Sequence, residues 1–185
     1  MISNQIYAAM SISFKPNKVK VVLLAESPPA IPQDADVSQF KYFYNVDYIN
    51  NQKDSLLRET AKVVLNNDTL SVRTKEEKLA ALNGVKDAGI FLVDVVKYPI
   101  NKLNSKKERK QAIIGSIPAL IGEIQELNPE WVIIALKSVY DLVKPELKKA
   151  GLPIAEIPIY SPWYNCMKYK DGLRQALCKY DNPEK

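Results

Sequence analysis

Apolar positions along this chain follow two rhythms. Val19 to Ala25 reads Val-Lys-Val-Val-Leu-Leu-Ala, a β-branched run of strand length that Pro28 and Pro29 end. Ile90 to Val93 is a second continuous apolar run, opened by Gly89 and closed by Asp94, and Pro99 forbids regular pairing beyond it. Trp131 to Leu136 is a third, and Ile154 to Tyr160 a weaker fourth, terminated by Pro162. Strands apolar at nearly every position are buried on both faces, as in parallel sheets.

Between these runs the period lengthens. Leu56 to Leu65 and Lys75 to Leu82 read as helices, the second ending near Gly84. From Lys106 to Leu127, the residues Ile113, Ile114, Ile117, Leu120, Ile121, Ile124 and Leu127 fall at helical spacings, with Pro118 as a kink or a break into two pieces. Ser138 is the expected cap of a helix running to Lys149, and Asp171 to Tyr180 a closing helix. Ala30 to Asp54 is polar and aromatic without a clean period, which predicts a functional loop.

Strand and helix in alternation predict one α/β domain over residues 1–185, with 1–17 as an N-terminal extension. The expected architecture is three-layer α/β/α around a mostly parallel four-stranded sheet. Ligands of such sheets bind beyond the carboxyl ends of the strands. Three polar turns fall there: Glu26-Ser27-Pro28, Asp94-Val95-Val96 and Ser161-Pro162-Trp163. No Gly-rich phosphate loop follows any strand, so no nucleotide cofactor is expected.

Composition narrows the chemistry. There is no histidine, which removes Ser-His-Asp, Cys-His and imidazole acid/base mechanisms together. The two cysteines, Cys166 and Cys178, are too few for an iron–sulfur cluster or a four-thiolate zinc site, so no metal is expected. They fit a reducing cytoplasm. No stretch reaches membrane-spanning length, and no signal-like segment opens the chain. A net charge of +5 favours polyanionic partners, and the Lys102 to Lys110 run is either a solvated loop or a phosphate-facing patch.

The turns in this order resemble the uracil-DNA glycosylase superfamily. Leu24-Ala25-Glu26-Ser27-Pro28-Pro29 is similar to the Gly-Glu-Ala-Pro-Gly motif of its thermophile-type single-domain members. Val93-Asp94-Val95-Val96-Lys97-Tyr98-Pro99 resembles their Thr-Asn-Val-Val-Lys-Cys-Arg-Pro-Pro, and Asn128 to Leu136 their Pro-Lys-Val-Ile-Val-Ala-Leu-Gly strand. The resemblance spans most of the chain after Val19. It implies DNA as partner, a flipped nucleobase as ligand and hydrolysis of an N-glycosidic bond in base-excision repair. The chain departs from the family in lacking the cluster-binding cysteines and in having Ser161-Pro162-Trp163 where the family has His-Pro-Ser. Loss of such a preorganised donor costs about two to three orders of magnitude in rate. A catalytically silent nucleic-acid or nucleotide-binding module is therefore the alternative expectation.

The resemblance assigns roles residue by residue. Glu26 would orient or deprotonate the attacking water, and Ser161 would stand in for the absent histidine. Phe43, with Tyr44 beside it, would stack on the base, and Ser27 would line its pocket. Asp94 replaces an asparagine that reads uracil. An ionised carboxylate only accepts hydrogen bonds, which suits the N1–H and 2-amino donors of a guanine-like edge rather than uracil; the competing reading is a buried aspartate satisfied by backbone amides. Lys97, Lys102, Lys106, Lys107 and Lys110 would contact phosphate, and Trp163, Tyr164 and Asn165 would meet the strand where the family places its intercalating loop.

Overall fold

The computed structural model describes residues 2–32, 35–50, 52–103 and 105–181. Three of the apolar runs are strands, β1 (Val21–Ala25), β2 (Ile90–Asp94) and β3 (Trp131–Ile134), joined in one parallel sheet of order β2-β1-β3. Apart from Trp131 every strand residue is buried, so both faces of the sheet are covered. The helices that cover them are α1 (Ile2–Ile12), α2 (Ser55–Val64), α3 (Lys75–Asp87), α4 (Lys106–Leu127), α5 (Lys137–Lys149) and α6 (Cys166–Asp181). They pack in two groups, α4 with α5, and α2 with both α3 and α6.

The expected fourth strand reduces to a single parallel bridge between Val132 and Ile154. Its two bonds run from the Val132 amide to the Pro153 carbonyl and from the Ala155 amide to the Val132 carbonyl, both 2.8 Å. Pro153 and Pro158 have no N–H to donate, so the run cannot build a ladder despite its apolar residues. The sheet among the described residues therefore has three strands and a bridged fourth segment.

Helix limits follow local chemistry. Ser105 and Glu108 form a reciprocal capping box at the start of α4, which runs unbroken through Pro118 to a left-handed Asn128. The residue before α5 is Leu136, not Ser138: its backbone is extended because the Ala135 amide still bonds to the Leu24 carbonyl at 2.8 Å, which extends the sheet into the helix start. Gly89 turns into β2 with φ of +79°, and an added Cβ would meet the Lys20 side chain at 2.8 Å.

The segment read as an N-terminal extension contains α1. Its Tyr7 is buried against Phe40 and Tyr42, and its hydroxyl donates to the Pro29 carbonyl. Helix α1 thereby braces the Pro-Pro turn that follows β1.

Candidate functional site

Parallel strands deliver their carboxyl ends to one edge of the sheet, and a cavity of about 770 Å³ opens there. Register positions the first two turns side by side. Ala25 stands opposite Asp94, and pairing continues past the strands through Val95 N–H to Ala25 O (2.9 Å) and Val96 N–H to Glu26 O (3.0 Å). The third turn closes the opposite wall. Ser161 stays in place because its carbonyl accepts from the Tyr164 amide at 3.2 Å and its hydroxyl from the Trp163 amide at 3.3 Å.

Of the residues singled out from the sequence, Glu26, Ser27, Phe43, Asp94, Lys106, Lys110, Ser161, Trp163 and Tyr164 line this cavity. The others do not. Tyr44 is core: its hydroxyl donates to Leu92 O (3.0 Å) and accepts from Leu92 N–H (2.7 Å). It thus satisfies the outer edge of β2, where no further strand pairs among the described residues, and leaves no ring face for a base. Lys97 pairs with Glu123 at 2.5 Å, Lys102 and Lys107 are exposed away from the cavity lining, and Asn165 caps α6 by accepting from the Lys168 amide at 2.9 Å.

Glu26 is paired with Arg109, whose guanidinium reaches it from the first turns of α4. The Glu26 side chain is mostly enclosed, so this ion pair fixes a carboxylate at the cavity wall. Asp94 is different. It is 8% exposed, and among the described residues no donor bonds to its carboxyl group. Burial pushes its pKa up to about 7, the Lys97 ammonium pulling it down and the Glu123 carboxylate adding to the rise. Among the described residues no backbone amide bonds to it, and it lies beside a cavity open to water. Its charge in turn adds to the effect of burial in raising the pKa of Tyr42, and in raising that of Tyr7 to about 12.

Polar groups not picked out from the sequence also meet the cavity, among them Arg109, Lys41 and Asp54. Arg109 belongs to the lysine-rich run that sequence alone leaves open between a solvated loop and a phosphate-facing patch. Lys41 lies over the Trp163 ring, 4.8 Å from its centroid, and desolvation lowers its pKa despite the opposing charge of Asp54. Asp54 pairs with the fully buried Lys78 at 2.5 Å, and Lys78 also donates to Tyr48 O at 2.9 Å. Burial pushes the Asp54 carboxyl up and the Lys78 ammonium down, each opposed by the partner's charge. No local sequence pattern announces a pair separated by α2 and the connection into α3.

No protein-family model, curated protein or solved structure matches the chain. Its chemistry must therefore be argued from the cavity itself. Four cations, Lys41, Lys106, Arg109 and Lys110, and four carboxylates, Glu26, Asp54, Asp94 and Asp141, share a wall with Phe43 and the apolar Ile113 and Leu136. Such a cleft fits a flat, partly polar ligand attached to an anion: the apolar residues take a ring, the deep carboxyl its polar edge, and the cations at the mouth a phosphate. Among the described residues no cluster of acids and cysteines is arranged for a metal, and no helix is long and apolar enough to cross a membrane.

Proposed function

We propose that this chain is a uracil-DNA-glycosylase-like protein that binds DNA and accommodates a nucleobase in the cavity beyond its strands. The observation that supports the reading is the convergence of Glu26, Asp94, Phe43 and Ser161 on one open cavity. In this reading the bridged segment at Ile154 occupies the position of a fourth strand. Phe43 offers an apolar contact to the base, Asp94 addresses its polar edge, and Lys106 and Lys110 hold the backbone.

Hydrolysis would require water to attack the sugar carbon as the C1′–N bond breaks, with Glu26 accepting the proton. The chain has no histidine, so charge developing on the departing base would be met by Arg109 and Lys41. The Glu26–Arg109 pair favours a second reading, a silent binding module. The Glu26 Oε1, one of the two oxygens that could hold the attacking water, is already taken by the guanidinium.

Incubation with single- and double-stranded oligonucleotides carrying uracil, hypoxanthine, xanthine or mismatches tests both. Abasic-site formation abolished in Glu26→Ala supports the enzyme. Salt-sensitive binding without cleavage supports the module, and neither binding nor cleavage refutes both.

A further inference from the structure

A buried carboxyl group without a protein partner is costly, and a folded chain keeps one only where something else supplies the hydrogen bonds. Asp94 is such a group. It is more than nine-tenths buried, lines the cavity, and no donor among the described residues bonds to it. Several elements pack around it. From α1 and the aromatic loop come Tyr7 and Tyr42, and Tyr44 is already committed to Leu92. From the turn after β2 comes Lys97, committed to Glu123 on α4. Across the cavity Arg109 is committed to Glu26. The Asp94 carboxyl opens on the cavity, so its donors come from whatever occupies that space, water or a ligand.

Resting on the reading that this cavity takes a nucleobase, we propose that Asp94 is the specificity-determining residue and selects a guanine-class base, whose N1–H and 2-amino group present two adjacent donors to its two carboxylate oxygens. Two parallel charge-assisted hydrogen bonds form only with that edge. Hypoxanthine lacks the 2-amino group and loses one of them. Uracil flanks its N3–H donor with carbonyl oxygens on both sides, so one of them would face a carboxylate oxygen, whereas hypoxanthine in the guanine pose presents only a C–H there.

The selection depends on pH, because only the ionised carboxyl accepts twice. Asp94 titrates near pH 7 in the empty cavity, and the neutral acid presents one donor and one acceptor, as an amide does. Guanine binding therefore weakens as the pH falls through 7, by about tenfold between pH 8 and pH 6.

The test uses the full chain and three oligothymidylate strands carrying a single central dG, dI or tetrahydrofuran abasic analogue, with binding read by fluorescence anisotropy. At pH 8 the wild type is expected to bind the dG strand about ten to a hundred times more tightly than the dI strand, the worth of one hydrogen bond to a charged group. That preference should shrink toward pH 6. In Asp94→Asn, dI should equal or surpass dG at every pH. Equal binding of all three strands overturns the inference and leaves the DNA reading standing, as does a dG preference retained in Asp94→Asn. No binding of any strand overturns both.

Discussion

Replacing Asp94 by asparagine keeps the shape of the side chain and removes its charge, so it should stabilise the protein in alkaline but not in acid solution. The unfolded chain holds this carboxyl near its ordinary value of 3.8, and the folded chain holds it near 7. Between those values the folded state binds a proton that the unfolded state has released. The stability contributed is complete below about pH 4 and is lost as the pH rises through 7. At about 1.4 kcal/mol per pH unit, the whole rise corresponds to at most about 4 kcal/mol. Water entering the cavity reduces that sum. Urea unfolding of both proteins at matched pH should show the advantage of Asp94→Asn growing by about 2 to 3 kcal/mol between pH 5 and pH 8.5. Other groups titrate alike in both chains and cancel in the difference. An advantage that does not grow with pH would mean that Asp94 is satisfied in the folded protein, and the case for a ligand-completed carboxyl would fall.

Lys78→Met leaves Asp54 buried beside an apolar side chain and should cost about 3 to 5 kcal/mol in urea unfolding; a loss under 1 would show that the pair is not desolvated. Tyr44→Phe strands the Leu92 amide and carbonyl at the sheet edge, for about 1 to 3 kcal/mol, read in the same assay. If Lys106 and Lys110 touch phosphate, each substitution by alanine should lower the salt slope of DNA binding by about one, whereas Lys107→Ala should leave it unchanged. Trp163→Ala removes an exposed ring under Lys41 and should weaken single-strand binding by about 1 to 3 kcal/mol with little change in stability.

Continuous apolar runs were legible because each is short, rich in β-branched residues and bounded by Gly or Pro, which favours a strand buried on both faces over a buried helix, and β1 and β2 follow within two residues. Helix α4 matched its reading from Lys106 to Leu127, since its spacing and Ser105 cap agree. The fourth strand failed where Pro153 and Pro158 overrode apolar content. Helix α1 escaped because only Tyr7 among its described side chains is fully buried, too little to set a period. In the site, Glu26 and Asp94 could be found because each ends an apolar strand. Arg109 and Lys41 could not, because a cation on a polar helix start or in a loop looks the same whether it faces solvent or a cavity. Tyr44 and Phe43 are neighbours of the same type, and only packing decides which becomes core.

In the proposed function, the turns beyond β1 and β2, with the segment around Ser161, form the nucleic-acid site. Hydrogen–deuterium exchange of the full chain, with and without a saturating single-stranded oligonucleotide, measures it most directly. Protection is predicted in peptides covering residues 26–30, 41–43, 94–101 and 161–165, with α3 and the carboxyl half of α5 unchanged. Protection confined to other surfaces, or none at saturation, would contradict the account.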